Sequence, residues 1–387
     1  MEFQVVHKGI DSLYMSFWGV LKPGLLEELE EKKSFAKSDD LLEQALATKS
    51  IGEHSFEVMD RGKGKYSYVI VDNWFHIQIS SSRKMILPTV YVQISSELLN
   101  CLGLDKSVSE LRSIVNELMV SIDTDKEEEG WEEGVIKREQ VSRKEGISRA
   151  DIFVDFVTDM DFESVKRKSW VTWAEQVHKY WTGAVFTGWT VGQGGVISAR
   201  LYDKTVEIMK SHKGYFIPIW QEQGWQAGQR VLRLEFELKK EFLTQMSINK
   251  IEDLLDVIND IWRVCTHEWL RLAIDDGTEN RTRWANEPVW DKIQQVSFGA
   301  GAYTGVARDV SKSRVPSDKT MYLNGLGYLL SYQVAKGYEN TSEAIPHFLK
   351  DADEYLKEYT KASDQYTDAE DYKRTKINLK KKRFNKK

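Results

Sequence analysis

Three short stretches of the chain alternate charged or polar residues with apolar ones, and they are residues 149–155, 200–204 and 233–238. Successive side chains of a β-strand point to opposite faces, so each stretch would carry its charges on one face. An antiparallel sheet with one face on a core and the other in water has this pattern. The alternation therefore predicts three strands, each with one polar face and one apolar face.

The polar faces of these predicted strands combine carboxylates, cations and one tyrosine. In chain order the residues that carry them are Arg149, Asp151, Asp155, Arg200, Tyr202, Lys204, Arg233, Glu235 and Glu237. Two interpretations fit this set. The charges form cross-strand salt bridges on the wet side of a sheet, or they form a site for phosphate chemistry, which uses both carboxylates and cations.

The remaining pattern predicts an α+β fold with largely antiparallel sheets and flanking helices. The three stretches above belong to strands predicted at 147–156, 196–202 and 231–238. Further strands are predicted at 9–20, 66–71, 74–79, 89–94 and 184–191. Helices are predicted at 25–49 with a break at the Ser38–Asp40 cap, 95–102, 108–122, 162–180 capped by Asp161, 248–272, 289–298, 322–338 and 345–361. A strand, a helix and a β-meander follow each other in both halves, which suggests two similar halves.

The charge is distributed unevenly along the chain. The 387 residues carry a formal charge of -6, which on its face argues against a nucleic-acid binder. Residues 373–387 hold nine basic residues and no acid, so the rest of the chain carries -15. We predict an N-terminal α+β half (1–122), an acidic linker (123–146), a catalytic α+β half (147–300), a C-terminal helical region (301–372) and a basic tail (373–387). The tail is either a disordered, solvated segment or a contact to DNA phosphates.

Several classes of protein are excluded or disfavoured by what the sequence lacks. It has no apolar run of about 18 residues and no apolar core near its start, so we expect a cytoplasmic protein without a membrane partner. Cys101 and Cys265 lack the spacing of a zinc site or a disulfide framework, and buried thiols are expected. The seven histidines include no His-hydrophobe-His triplet, so a metal site of that type is excluded. Gly192, Gly194 and Gly195 are not followed by the Gly-Lys-Ser/Thr of a phosphate-binding loop, so no ATP-driven helicase activity is indicated.

Taken together, the three stretches resemble the motif strands of the replication initiation factor family. The matching segments are SRADIFVD at 148–155, GWTVG at 188–192 leading to ARLYDKTVE at 199–207, and LRLEFEL at 232–238. The similarity runs from about Gly9 to Phe298. The family contains rolling-circle plasmid and phage replication initiators and the related relaxases of integrative conjugative elements.

This resemblance implies a DNA nicking and strand-transfer enzyme. Tyr202 would attack a DNA phosphodiester, keep the 5′-phosphate as a phosphotyrosine and free a 3′-OH that primes synthesis. A phenol with a pKa of about 10 is protonated at pH 7, so it needs a base or neighbouring positive charge. Arg200 and Lys204, two residues to either side, would supply that charge and hold the scissile phosphate.

The family also implies a divalent metal, Mg²⁺ or Mn²⁺, which hard carboxylate oxygens suit. Asp151 and Glu235 are the first candidates for its ligands, and Asp155 and Glu237 are the second. Salt bridges to the neighbouring arginines remain the alternative role for all four acids.

The expected partners are origin DNA, single-stranded or supercoiled, a host helicase for unwinding, and a second copy of the chain in a homodimer. The candidate DNA-binding residues are Arg149, Arg233, Arg281, Arg283, Lys380, Lys381, Lys382 and Arg383. A conjugative relaxase and a non-catalytic origin-binding protein stay open as alternatives.

Overall fold

The computed structural model describes residues 2–82, 87–120, 144–299, 318–361 and 366–383. The fold is α+β, as the sequence predicts. The strands are β1 (Phe3–Trp18), β2 (Thr48–Ile51), β3 (His54–Val58), β4 (Tyr68–Val71), β5 (Phe75–Ile79), β6 (Val90–Ile94), β7 (Lys144–Thr158), β8 (Trp170–Thr172), β9 (Val177–Thr182), β10 (Val185–Val191), β11 (Ile197–Asp203), β12 (Val231–Lys239) and β13 (Leu270–Leu272).

The described helices are mostly short, and the two longest lie near the C-terminus. They are α1 (Leu25–Lys37), α2 (Leu41–Gln44), α3 (Ser96–Cys101), α4 (Leu104–Leu118), α5 (Lys204–Ser211), α6 (Phe216–Glu222), α7 (Lys240–Gln245), α8 (Ile251–Asp256), α9 (Ile258–Arg263), α10 (Pro288–Gln294), α11 (Asp318–Lys336), α12 (Thr341–Lys361) and α13 (Ala369–Arg383). No helix in the described ranges is long and apolar enough to cross a bilayer.

The chain divides into two compact units, and the first contains the described residues of 1–30 and 61–310. Its main sheet has the strand order β4-β5-β6-β1-β7-β12-β11-β10-β9, with every neighbouring pair antiparallel. Strands from both predicted halves therefore lie in one sheet. One meander, β4 to β6, lies on one side of the long central pair β1 and β7, and the meander of β9 to β11 lies beyond β12 on the other.

The two faces of this sheet are covered differently. On the apolar face, α7 packs on β7 and β12, and Trp262 of α9 meets the ring of Phe236 edge to face at 5.4 Å. On the other face, α3 and α6 pack on β1 and α5 packs on β12. A buried cluster that includes Phe153, Phe216 and Trp220 fills the space under α6. These helices cover one end of the polar face. At its other end Asp151 and Glu235 are buried, while Arg149, Arg200 and Glu237 are partly exposed.

The second unit contains residues 31–60 and the described residues of 311–387. It includes the hairpin of β2 and β3 and the helices α11 to α13. Asp40 caps α2 by accepting a hydrogen bond from the amide of Leu42 at 2.8 Å, at the cap predicted from the sequence. The end of the predicted helix 25–49 is wrong, since residues 48–51 pair with β3 as a strand.

Two long predicted helices are also wrong. Residues 162–180 form a short 3-10 turn at 167–169, strand β8 and the start of β9, because the β-branched and aromatic residues there pair with β13 and β10. Residues 248–272 form α8, α9, a π-helical turn at 264–269 and β13. Their apolar spacing suits a helix, but Leu270 and Leu272 pair with β8.

Two charged segments are described in part. The predicted acidic linker, 123–146, lies outside the described residues up to 143, and β7 begins at Lys144. Most of the predicted basic tail is helical, since α13 extends from Ala369 to Arg383. A helix aligns its cations along one axis, which a disordered tail would not do.

Candidate active site on the polar face of the sheet

The three motif strands are neighbours in the sheet, in the order β7, β12, β11. Their register places Glu237 opposite Asp151 and Glu235 opposite Arg200. Because all the charged residues of the motifs have the same parity along their strands, they share one face. The structure thus brings the predicted carboxylates, arginines and tyrosine together, and it divides them into two groups with different environments.

The first group, called here the buried end, consists of Asp11, Asp155 and Arg233. Arg233 is 0% exposed and donates to both oxygens of Asp155, at 2.5 and 2.8 Å, and to Asp11 at 2.5 Å. Trp220 donates from its indole nitrogen to Asp155 at 3.0 Å. Burial lowers the pKa of Arg233, but the charges of Asp155 and Asp11 outweigh that effect and raise it well above its usual value. The arginine therefore stays charged inside the protein.

Two predicted roles fail at the buried end. Arg233 cannot contact a DNA phosphate, since helices cover it and all its described bonds go to Asp155 and Asp11. Asp155 cannot serve as a metal ligand in this arrangement, because it is 0% exposed and both its oxygens are bonded to Arg233. The salt-bridge interpretation is the one that describes these two residues.

The second group, called here the open end, consists of Arg149, Asp151, Arg200, Glu235 and Glu237. Arg149 donates to both oxygens of Asp151, at 2.7 and 2.6 Å, and pairs with Glu237 at 2.8 Å. Arg200 donates to Glu235 and lies 3.6 Å from Asp151. The side chain of Arg200 is 42% exposed, so its guanidinium bridges the carboxylates and also faces solvent.

The open end is not fully neutralised by its arginines. Burial, together with the negative charge of Glu235, raises the pKa of Asp151 to about 7, although Arg149 and Arg200 act against this. Burial also lowers the pKa of Arg200, but Glu235 and Asp151 reverse the effect and raise it. The cluster holds three acids and two arginines, and Lys239 lies 3.7 Å from Glu237 as a third cation.

Tyr202 lies between the two ends and borders a cleft of about 1020 Å³. Its hydroxyl donates to Glu235 Oε2 at 3.1 Å, while Arg200 holds the other oxygen of the same carboxylate. Burial, and then the charge of Glu235, raise the pKa of Tyr202 well above its usual value. The phenol is therefore protonated at neutral pH, and the group in position to accept its proton is Glu235.

Gly188 of β10 lies directly opposite Tyr202 in the sheet. A Cβ atom at Gly188 would lie 2.3 Å from the carbonyl oxygen of Leu201 and 2.9 Å from Cβ of Tyr202. The glycine also has a φ of +154°, which side-chain-bearing residues rarely adopt. Only glycine lets β10 approach the tyrosine this closely, and the GWTVG segment of the sequence contains this signal.

Lys204 is close to Tyr202 without sharing its strand. Asp203 ends β11 and caps α5 by accepting from the amide of Val206 at 3.0 Å, so Lys204 is the first residue of the helix. The ammonium group of Lys204 is buried, 2.6 Å from Glu207 and 5.7 Å from the centre of the Tyr202 ring. Burial and Arg233 lower its pKa. It supplies positive charge behind the tyrosine ring and does not face the cleft, which differs from the predicted contact to phosphate.

The carboxylates of the open end are of the type that binds a divalent metal, but they are already bonded to Arg149 and Arg200. Asp151, Glu235 and Glu237 offer the hard oxygen ligands that Mg²⁺ and Mn²⁺ prefer. Across the described ranges, no group of three or more His, Cys, Asp and Glu is arranged to hold a metal. A cation here would compete with Arg149 and Arg200 for the same oxygens.

The other predicted DNA-binding residues lie outside the three motif strands. Arg281 donates to the backbone carbonyl of Trp170 and is half-buried, so it supports the fold of its loop. Arg283 is exposed in the same loop, and Lys380 and Lys381 are exposed on α13. The side chains of Lys382 and Arg383 lie outside the described part of the chain. Contacts of these residues with DNA stay predictions.

Asp11 is the residue of this region that the sequence pattern did not single out. It lies where the pairing of β1 with β7 shifts register between Ile10 and Ser12. It accepts from Arg233 and from the hydroxyl of Ser96 at 2.8 Å. The signal that could have found it is an isolated acid within the otherwise apolar segment GIDSLYMSFW, because a buried carboxylate needs a partner.

Comparisons with known proteins assign the chain no function. No protein-family model matches the chain, and no curated protein sequence matches it. Among solved structures, the chain is similar to a rolling circle replication initiator protein from Geobacillus stearothermophilus, with 11% sequence identity and a TM-score of 0.42. The match covers 79% of this chain and 99% of that chain. At this identity and score it assigns no residue a role, so the functional argument rests on the site.

Proposed function

We propose that the chain is a DNA nicking and strand-transfer enzyme that initiates rolling-circle replication, with Tyr202 as its nucleophile. The observation that carries this proposal is the hydrogen bond from Tyr202 to Glu235, at 3.1 Å, beside a cleft and under the guanidinium of Arg200. A nucleophile, a base in reach of its proton and a cation for the phosphate are what phosphoryl transfer to a tyrosine needs. The order and spacing of the three motif strands give independent support.

In the proposed reaction, the Tyr202 oxygen attacks the scissile phosphorus as its proton passes to Glu235. The new bond joins the tyrosine oxygen to phosphorus, and the bond from phosphorus to the 3′-oxygen breaks. The proton ends on that 3′-oxygen, which leaves a free 3′-OH and a 5′-phosphotyrosyl link. No water is consumed, so attack of a 3′-OH on the phosphotyrosine reverses the step and rejoins a strand.

Arg200 is the residue that would stabilise the phosphate as charge develops on it. Its side chain is 42% exposed at the cleft and is held in place by Glu235. A planar guanidinium donates two parallel hydrogen bonds to phosphate oxygens, which a lysine ammonium does not match. Lys204 and Arg233, behind the tyrosine, oppose the effect of burial on its anion.

Asp151 and Glu235, with Glu237 as a third donor, are the residues that would hold Mg²⁺ or Mn²⁺. When bound there, such an ion supplies charge stabilisation at the phosphoryl oxygen and the leaving 3′-oxygen. Before binding it, Asp151 must lose its proton and part of its bonding to Arg149. Activity is therefore proposed to depend on a divalent cation.

The proposal is tested with a supercoiled plasmid that carries the DNA flanking this protein's own gene, in Mn²⁺, Mg²⁺ or EDTA. The wild-type chain is expected to give nicked circles and a covalent protein-DNA adduct that survives denaturing electrophoresis. Tyr202→Phe removes the attacking oxygen and is expected to give no adduct in any metal. An adduct that persists in Tyr202→Phe would overturn the assignment.

Tyr180→Phe is the matched control for this test. Tyr180 borders the same cleft and donates to Gln193 at 3.2 Å, without contact to Glu235. We expect the control to nick and form adducts at the wild-type rate within about twofold. Loss of adducts in both variants would show that the cleft, and not Tyr202 alone, is sensitive to substitution.

Two alternatives are decided by simple observations. A conjugative relaxase would share this chemistry, and neighbouring genes for a coupling ATPase and a secretion apparatus would identify it. A non-catalytic origin-binding protein would bind the same plasmid and would not nick it in the presence of any metal.

A host helicase is the proposed source of unwinding, since the chain lacks the Gly-Lys-Ser/Thr signature of an ATP-binding loop. A homodimer would bring a second tyrosine for termination.

A further inference from the structure

We propose that a second groove, next to the open end, binds a single-stranded segment of DNA by base stacking and phosphate contacts. This inference rests on the proposed function, because it assigns that groove to the strand on which Tyr202 acts. The groove has a volume of about 750 Å³. It is called here the aromatic groove, and the residues that define it are Trp18, Tyr66, Tyr91, Lys144, Lys239 and Lys240.

The aromatic groove offers ring surfaces that unpaired bases can use. The rings of Tyr66 and Tyr91 stack at 5.9 Å with an angle of 28°, and Tyr14 lies 6.0 Å from Tyr91. Trp18, Tyr66 and Tyr91 are all half-buried, so each is fixed by packing and still exposes part of its ring. Aromatic side chains held in this way stack on bases of any sequence. In a duplex the faces of the bases are already stacked, so the rings favour a single strand.

The charge of the aromatic groove differs from that of the chain as a whole. Lys144 and Lys240 are exposed and Lys239 is half-exposed at its wall. Arg149 also borders it but is bonded to Asp151 and Glu237, and Lys239 lies 3.7 Å from Glu237, so the excess cations of the groove are Lys144 and Lys240. Of the two acids that border the groove, Glu145 is paired with Arg112. A local excess of cations in a chain with a formal charge of -6 is the electrostatic feature that a phosphate backbone requires.

The aromatic groove adjoins the catalytic cleft through two contacts. Arg149 borders the groove and pairs at 2.8 Å with Glu237, which borders the cleft. Lys239 borders the groove and donates to the carbonyl of Gly194, which borders the cleft, at 3.3 Å. A strand whose scissile phosphate lies at Tyr202 therefore has a continuous path over these two contacts to the tyrosine rings.

The test measures binding of a fluorescein-labelled 15-nucleotide oligo-dT by anisotropy in EDTA, over a series of salt concentrations. The variant Lys144→Glu with Lys240→Glu reverses two exposed charges of the groove. We expect its affinity to fall about tenfold or more, and the slope of log K against log salt to fall by about 1.4, since each phosphate contact contributes about 0.7. Oligo-dT carries no nick site and needs no chemistry.

Lys106→Glu with Lys292→Glu is the matched control, because both lysines are exposed and neither borders the groove or the cleft. Tyr91→Leu keeps an apolar side chain on β6 but removes the ring, and is expected to weaken oligo-dT binding about fivefold or more, while Tyr91→Phe preserves it. Equal affinity of the groove variant and the control would overturn the proposal. So would a 15-base-pair duplex that binds as tightly as oligo-dT and weakens equally in Tyr91→Leu.

The outcome is separable from that of the nicking test. Tyr202→Phe lies outside the aromatic groove and is expected to bind oligo-dT as the wild type does. Persistent adducts in Tyr202→Phe would overturn the nucleophile and leave the groove result intact. Unchanged oligo-dT binding in the groove variants would overturn the groove and leave the nucleophile intact.

Discussion

The buried end and the open end of the polar face share strands β7 and β12 and contain the same types of residue, but β1 adds Asp11 to the buried end and β11 adds Arg200 to the open end. At the buried end, one arginine satisfies two aspartates that helices seal from solvent. At the open end, two arginines share three carboxylates beside a cleft, and one of the arginines is 42% exposed. The two ends differ in the helices that cover them and in the exposure of their arginines, not in the alternation of their strands.

This difference separates structural ion pairs from groups that are available for chemistry. Removing one partner of a fully bonded buried pair lowers the free energy of unfolding by several kcal/mol, because the other charge stays buried without a partner. A cluster whose arginine is partly exposed at a cleft can rearrange around a substrate at a smaller cost. The comparison predicts that variants at the two ends will affect stability and activity in opposite proportions.

The largest effect is expected from Arg233→Met at the buried end. This change leaves Asp155 and Asp11 buried without their cation, so the free energy of unfolding should fall by about 3–5 kcal/mol. Urea unfolding followed by circular dichroism measures the change. Arg230→Met is the matched control, since Arg230 pairs with Asp203 at 2.6 Å but is 43% exposed. Its cost should be no more than about 1 kcal/mol. Similar losses in both variants would show that burial does not distinguish the pairs.

The next effect is expected from Arg200→Gln at the open end, and it concerns activity. Removal of a cation that stabilises the developing phosphate charge should lower the rate of adduct formation about 100-fold, or about 3 kcal/mol. The free energy of unfolding should fall less than in Arg233→Met, because Arg200 is 42% exposed and Arg149 still pairs with Asp151, while Glu235 loses its cation. Arg200→Lys keeps the charge and should recover part of the rate. A loss of stability as large as that of Arg233→Met would mean that the two ends are not functionally distinct.

The sequence predicted the strands of this face well, because their alternation is local. Residues 147–156, 196–202 and 231–238 were predicted as strands, and β7, β11 and β12 contain them almost completely. It also placed Glu235 and Tyr202 on one polar face, where the Tyr202 hydroxyl donates to Glu235 at 3.1 Å, while Asp151 lies opposite Glu237.

The sequence could not predict which end of the face would be covered. That depends on α5 and α6, two short helices whose apolar residues, such as Phe216 and Trp220, have no clear periodic pattern of their own. Arg233 and Arg200 follow the same alternation, but Arg233 is buried and Arg200 is partly exposed. The rings of Phe153 and Phe216 pack against Arg233. Tertiary packing also decided residues 162–180 and 270–272, where pairing between distant strands overrode helical spacing.

The smallest expected effect is a difference in the pH dependence of stability between the two ends. Asp151 has a pKa raised to about 7 in the folded chain from 3.8, through burial and Glu235. The folded state then binds this proton more tightly than the unfolded state, so the contribution of Asp151 to stability falls as pH rises from about 4 through about 7. Asp151→Asn removes that penalty and, in EDTA, should be more stable than the wild type at pH 8, with the difference shrinking toward pH 4.

Asp11 should show the opposite sign. Burial alone would raise its pKa, but Arg233 and Lys204 outweigh burial and hold the pKa below its usual value. A depressed pKa contributes stability that is present above the unfolded value and lost as pH falls through it. Asp11→Asn should therefore be less stable than the wild type at pH 7, and this difference should shrink toward pH 3. Urea unfolding at a series of pH values measures both variants. If both variants were more stable than the wild type at pH 7, or both less stable, the ion pairs of the buried end and the open end would be electrostatically alike. Burial by α5 and α6 would then not explain the division of the site.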